Sequence, residues 1–469
     1  MTDLKPSTVT PRTKALAINP LKASQPLGAT LACLGIRQSI PLLHGSQGCS
    51  AFAKVFLVQH FREPIPLQTT AMDQVSTVMG GDDSIIEALE TLCTKSSPAL
   101  ILVTTTGLTE TQGSDVRRVI SQFRLDYPQF AATRIVPLNT PDFKGCLETG
   151  FARAVEAMID SLVAPSETAA ARPQQLNLLA SSSLTPADIE LLKSWVEAFG
   201  FTPIVLPDLS DSLGHLVDLD FSPLTLGGTP VSAFDQIGNS AATLVIGRSL
   251  FKAGQLLQER TGVHSHRFDH LMGMHACDQF IQCLHRLSGK PVPAFIERQR
   301  AQLQDAMVDT HFQLGLAPVA VAADPELLGA LCEWLTLMGA RVVAGVTPIA
   351  TRKLAELPCN QIKVGDLADL EQLATAGGAE LLIGNTHLVD CAERLGIPLL
   401  RAGFPQYDHY GAHRRCWIGY GGSAQTLFDI ANLRLHSDPH RIATYHSYLS
   451  QKRDTPLTDA EHAQHGGAR

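Results

Sequence analysis

Several things are scarce in this sequence, and each shortage excludes something. There is no run of Lys and Arg, and the formal net charge is −8. The chain therefore lacks the basic face that displaces counterions from phosphates, which argues against nucleic-acid binding. No apolar stretch is long enough to span a bilayer, and Met1 to Lys14 is polar and Pro/Thr-rich, without the apolar core of a secretory signal. A cytoplasmic protein with no membrane partner is expected. The 10 cysteines contain no C-x-x-C pair, and in a reducing compartment they are not a disulfide framework. A cysteine that binds metal here would need ligands from elsewhere. No G-x-x-x-x-G-K-[ST] loop or G-x-G-x-x-G turn follows a strand, so the usual phosphate cradle is missing. No G-x-S-x-G serine, paired catalytic carboxylate or H-E-x-x-H helix is present either, which removes the commonest hydrolases.

What is present is an ordinary globular composition, 45% hydrophobic over 469 residues. That is more chain than one core of roughly 250–300 residues accommodates. From about residue 173 one phrase recurs: strand, cap, helix, Gly, strand. Leu176 to Ala180 reads as a buried strand. Thr185-Pro186 then supplies an N-cap with proline at the first helical position, and Ile189, Leu192, Trp195, Val196 and Phe199 follow at helical spacing. The order returns as Val319 to Ala322, Asp324-Pro325, a helix carrying Leu327 to Met338, Gly339 and the strand Val342 to Val346. Further strands are expected at 243–246, 362–364, 381–383 and 398–400. This alternation predicts an α/β fold of three Rossmann-like, doubly wound domains with parallel sheets. The expected units are 1–165, 173–314 and 315–453, with a mobile tail at 454–469. The first boundary is the Pro/Ala/Ser-rich stretch 164–173. The second follows a long helix, about 293–312.

Two motifs precede these units. Asn19-Pro20-Leu21-Lys22-Ala23-Ser24-Gln25-Pro26-Leu27-Gly28 leads into a helix, and His44-Gly45-Ser46-Gln47-Gly48-Cys49 opens another. Gly45 and Gly48 would let the backbone approach an inorganic anion, with their N–H groups donating to sulfide. A thiolate at Cys49 would gain from the positive end of the following helix. The hexad fits the corner of an iron–sulfur cluster. It equally fits a tight glycine turn with a packed cysteine.

Further along come His60-Phe61-Arg62-Glu63-Pro64, Met79-Gly80-Gly81, Thr104 to Glu110 and Asn139 to Gly145, and near the end Arg401-Ala402-Gly403-Phe404-Pro405. In that order the motifs resemble the nitrogenase component 1 family over essentially the whole chain, and within it the β-like scaffold chains more than the catalytic ones. In the catalytic β chains three cysteines bind the interface cluster. Here those positions read Ser24, Cys49 and Gly107. A [4Fe–4S] cube commonly takes four thiolates, so the resemblance implies a [4Fe–4S] cluster held by Cys49 together with three ligands from a NifE-like partner.

The resemblance implies the rest of the expected function. The chain would be a scaffold subunit for assembly of the nitrogenase iron–molybdenum cofactor, in an α2β2 heterotetramer with the NifE-like subunit. The complex would bind a cofactor precursor from a NifB-type donor and receive electrons, molybdenum and homocitrate through the nitrogenase Fe protein. Gly48 and Asp142 join Cys49 as cofactor-binding candidates. Asp142 stands where the family loop has a serine near its cluster, and reads either as a carboxylate toward the iron or as a turn former. Met79, Gly80 and Gly81 are the candidate docking segment for the Fe protein. The rival readings are a catalytic β subunit of nitrogenase or of a protochlorophyllide reductase-like enzyme, and a cluster-free interaction module. Cys33, Cys93, Cys277 and Cys283 read as core, and Cys146 as a packed loop cysteine. His264, His266, His270 and His275 read as a solvated helix face without an acidic partner, and Arg401 as one half of a structural ion pair.

Overall fold

The computed structural model describes residues 7–165, 172–214 and 222–437. The expected tail at 454–469 lies outside the described residues. Three parallel sheets carry the fold. The first orders its strands Gln68–Thr69, Ser39–His44, Leu100–Thr105 and Arg134–Leu138. The second runs Thr202–Leu206, Arg172–Ala180, Ser240–Ile246 and Ser265–Phe268. The third runs Thr8–Thr10, Gln361–Val364, Arg341–Thr347, Pro318–Ala322, Leu381–Gly384 and Leu399–Arg401. Helices cover the strands, as parallel sheets require for burial on both faces. The strand Thr8–Thr10 joins the edge of the third sheet, and Lys14 holds the segment after it through ion pairs of 2.9 Å to Asp366 and Asp369.

Local sequence explains the helix starts. Thr185 caps the helix Pro186–Ala198 by accepting from the Asp188 N–H, with proline in the first turn; Asp324 stands at the N-cap of Pro325–Leu337, again with proline following, but its side chain does not cap that helix. The long helix Ala294–Leu314 packs along Gly419–Ser437, where the Arg434 guanidinium donates to the Gln313 carbonyl at 2.7 Å.

Carboxylates join the three sheets where two helices meet end to end. The helix Leu147–Leu162 starts after Cys146, and its Glu148 carboxylate accepts from the Glu326 N–H at 2.8 Å, inside the first turn of Pro325–Leu337. In return the Asp324 carboxylate accepts from the Glu148 N–H and the Cys146 thiol. Glu326 reaches the second sheet's connections, accepting from the hydroxyls of Ser181, Ser183 and Ser249 and from the Ser249 N–H at 2.9 Å. Burial raises the pKa of Asp324 to about 6 and raises that of Glu148, where the neighbouring Glu326 and Asp324 charges add to the effect.

The first unit depends on a close crossing of Gln25–Leu34 over Leu147–Leu162. A Cβ on Gly28 would lie 1.9 Å from the Leu147 carbonyl oxygen, and one on Gly150 would lie 2.0 Å from that of Gln25. Only hydrogen fits at either position. Gly28→Ala must push the helices apart, and a loss of about 1–3 kcal/mol is expected from overpacking. Urea denaturation of the complex checks this: the midpoint falls, whereas an unchanged midpoint would show that the crossing yields freely.

Candidate functional site

Cys49 sits in the first turn of Gln47–Phe61, a helix that begins where the strand Ser39–His44 ends. Ser46 stands at the N-cap, but its hydroxyl does not cap the backbone. It lies 3.4 Å from the Cys49 sulfur. The thiol is half-buried and borders a cavity of about 480 Å³. Ser24 at the start of Gln25–Leu34, Thr106, Asp142 and Gly48 share that cavity, so segments far apart in sequence converge on one space. A Cβ on Gly48 would meet nothing within 4 Å, which leaves the backbone there open to a bound group.

Gly45 does not share this role. Its N–H donates to the Thr70 hydroxyl at 3.2 Å, and a Cβ on it would strike Thr106 at 2.6 Å. The expectation that it faces an inorganic anion is corrected: Gly45 is a packing glycine, because the turn lies against the neighbouring strand's exit. His44, just before it, is buried between the hydroxyls of Thr70 at 3.1 Å and Ser114 at 3.3 Å, and burial lowers its pKa to about 4. The ring is therefore neutral.

The Asp142 carboxylate accepts from the Gly107 N–H at 2.9 Å, at the start of the helix Gly107–Gln112. One oxygen thus holds the turn. Burial raises the carboxyl pKa, against the Gly107 hydrogen bond and the charge of Lys22. Lys22 is half-buried in the same cavity wall, and its ammonium donates to the Asp142 carbonyl oxygen at 2.9 Å.

The remaining wall comes from the third sheet's connections, through His387, Phe404 and Pro405. They reach the cavity because the Cys49 helix is anchored at its far end. His60 accepts from the Gln406 N–H at 3.0 Å through Nδ1 and packs edge-on against Phe404, and burial lowers its pKa to about 3. Arg62, in the left-handed conformation that ends the helix, donates to the Tyr407 carbonyl at 2.6 Å. Arg401 pairs with Asp408 at 2.7 Å, as expected.

Gly80 and Gly81 of the Met79-Gly80-Gly81 segment do not line the cavity. Met79 ends the short helix Gln74–Met79, and Gly81 precedes Asp82–Ser96, placed so that a Cβ would lie 2.7 Å from the His44 ring. The segment therefore backs onto the strand that leads to Cys49. Val75 and Val78 beside it are exposed. Of the residues that line the cavity, Phe52 is 67% exposed, and Phe143, next to Asp142 in the chain, is 63% exposed.

The other cysteines separate from this site. Cys33, Cys93, Cys146, Cys277 and Cys283 are buried, and Cys146 faces Asp324. The histidine-rich stretch needs a correction. His266 lies in the strand Ser265–Phe268, His270 follows in a turn, and His270 Nε2 stands 3.1 Å from Glu333. The acidic partner comes from the helix Pro325–Leu337, more than sixty residues along the chain, where no local pattern reveals it. Among the described residues no group of three or more His, Cys, Asp and Glu side chains is arranged to hold a metal ion, and no helix is long and apolar enough to cross a membrane. Cys49, the one cysteine bordering the 480 Å³ cavity, fits one corner of a cluster completed by another chain.

Three layers of parallel sheet covered by helices, with a single-cysteine cavity between the first and the third, define the class. The chain belongs to the nitrogenase component 1 type oxidoreductase family, whose model matches residues 24–435. It is 47% identical over 446 residues to the nitrogenase iron-molybdenum cofactor biosynthesis protein NifN of Klebsiella pneumoniae, covering 95% of this chain and 96% of that one. The NifN protein of Nostoc sp. (strain PCC 7120 / SAG 25.82 / UTEX 2576) is 44% identical, with 93% and 97% covered. The solved structure "Nitrogenase Cp1 at pH 6.5" superposes with a TM-score of 0.86 at 31% identity, over 95% of this chain and 98% of that one.

Exposure of Cys49 has a direct chemical test. Cys49 and Cys416 are the partly exposed cysteines of the described residues, and the other cysteines there are buried. Brief iodoacetamide treatment of the chain expressed alone should label Cys49 before Cys33, Cys93, Cys146 or Cys416, the last because burial and the neighbouring Asp188 raise its thiol pKa, as read by peptide mass spectrometry. Labelling of all sites at one rate would show that the cavity does not present the thiol.

Proposed function

We propose that this chain is a scaffold subunit for assembly of the nitrogenase iron–molybdenum cofactor, contributing Cys49 to a [4Fe–4S] cluster shared with a NifE-like partner. The observation that carries the reading is the cavity at Cys49: it converges on one thiol, has an open glycine backbone at Gly48, and carries in its wall the exposed Phe52, which a partner would cover. The names of the relatives in Klebsiella and Nostoc support the same assignment.

In this reading the bound cluster supplies one-electron chemistry at the subunit interface. Cys49 would hold one iron, Gly48 would let the backbone lie close, and the Asp142 carboxylate keeps the Gly107 turn in place by accepting from its N–H. The partner supplies the other three protein ligands, and two such pairs form the α2β2 heterotetramer. A cofactor precursor from a NifB-type donor is bound to the complex. The nitrogenase Fe protein docks over Met79, Gly80 and Gly81 and brings electrons, molybdenum and homocitrate. The catalytic β chains carry two further cysteines where this chain has Ser24 and Gly107, which favours the scaffold role over nitrogenase catalysis.

Two experiments test this reading. In the co-purified complex, Cys49→Ala should lower iron content or alter the EPR spectrum of the interface cluster, while Cys33→Ala and Cys93→Ala should not. Equal iron and equal spectra in all three would remove Cys49 from the cluster. Expressed without its partner, the chain should hold no cluster, since one thiolate does not retain a cube against a chelator. A brown monomeric preparation carrying about four irons, the content of one [4Fe–4S] cube, would refute the sharing.

A further inference from the structure

The cavity at Cys49 holds an opposed pair of charges, and the cluster reading gives its cation, Lys22, no role. Its wall is mostly apolar, built from Leu21, Leu27, Leu43, Phe52, Phe56 and Phe404 among others. Lys22 is the one Lys or Arg among the lining residues and Asp142 the one carboxylate. Burial lowers the His387 pKa, so that ring is neutral. Lys22 is not a freely swinging surface cation: its ammonium is tied to the Asp142 carbonyl oxygen at 2.9 Å and is half-buried. Arg12, the other cation acting on Lys22, is exposed and screened by solvent. A fixed charge beside an apolar cavity acts through a lower effective dielectric than one in water, so it is felt more strongly by whatever the cavity holds.

An iron–sulfur cube becomes more negative by one unit when it accepts an electron. We propose that Lys22 sets the charge balance of the Cys49 cavity, its ammonium stabilising the reduced state of the shared cluster while the Asp142 carboxylate opposes it. This rests on the cluster reading given above. The step is a single electron taken from an added low-potential one-electron reductant, and no bond at Lys22 or Asp142 forms or breaks. Lys22 is a positioning and electrostatic residue, since its nitrogen is bound to the loop and not to iron.

The experiment is an EPR-monitored redox titration of the intact complex, with iron analysis of each preparation. Lys22→Gln keeps an N–H donor for the Asp142 carbonyl but removes the charge, and Lys22→Arg keeps the charge. At a fixed solution potential Lys22→Gln should shift the reduced-to-oxidised ratio about tenfold toward oxidised, equivalent to about 59 mV for a one-electron couple. Lys22→Arg should stay with the parent, and Asp142→Asn should shift toward reduced. Iron-replete Lys22→Gln that titrates like the parent, or Lys22→Arg that shifts as far as Lys22→Gln, overturns the proposal and leaves the cluster assignment standing. Should Lys22→Gln lose its iron, Asp142→Asn decides, and a shift toward oxidised or no shift overturns the proposal. A parent complex without iron overturns both readings.

Discussion

The arrangement of the three layers depends on how two helix beginnings are made to face each other. Each helix presents unpaired N–H groups and the positive end of its dipole, so bringing Leu147–Leu162 and Pro325–Leu337 together end to end is unfavourable unless negative charge lies between them. Glu148 and Asp324 supply it reciprocally, each carboxylate accepting from the other helix's first turn. Glu326 extends the arrangement to Ser181, Ser183 and Ser249. These serines follow the carboxyl ends of the second sheet's strands, the place where open α/β sheets usually bind a ligand. Here that place is occupied by a neighbouring layer's glutamate. The relation between layers is thereby tied to hydrogen bonds of defined direction and not to apolar contact alone.

That rigidity matters at the cavity because no single layer builds it. Cys49, Ser24 and Asp142 come from the first unit, and His387, Phe404 and Pro405 from connections of the third sheet. The loop carrying Asp142 ends at Cys146, whose thiol donates to Asp324 in the junction. Three residues therefore separate Asp142 in the cavity wall from Cys146 at the junction of the layers. The single thiol and the exposed Phe52 leave the site chemically and sterically unfinished within this chain, a state that suits a surface completed by another protein.

Much of this was legible in the sequence wherever the physics is local. Thr185-Pro186 and Asp324-Pro325 announce helix starts because a cap and a preset proline act within one turn. The recurring strand and helix phrases identify parallel sheets because burial on both faces demands continuous apolar strands. Cys49 and Gly48 stood out because glycine spacing before a helix constrains the backbone there and then. What was not legible depends on distant partners. Gly45 and Gly48 look alike in the hexad, and only the packing of Thr106 tells them apart. His270 lacks an acidic neighbour in sequence and finds Glu333 across a layer boundary. Lys22 reads as an ordinary motif lysine until the fold lays it against the Asp142 loop.

The Cys49 helix has a further consequence. From Cys49 to His60 it rises about 16 Å at 1.5 Å per residue, and its far end is fastened to the third unit through Gln406 and Tyr407. A rod pinned at one end converts rotation into displacement at the other. A tilt of about five degrees about that pin carries the sulfur by more than an ångström over this length, several times the roughly 0.2 Å tolerance of a metal–ligand bond. The thiol is thus the tip of a pointer whose pivot lies in another layer, and a metal held there, as proposed above, would register the angle between the layers as a gauge registers load.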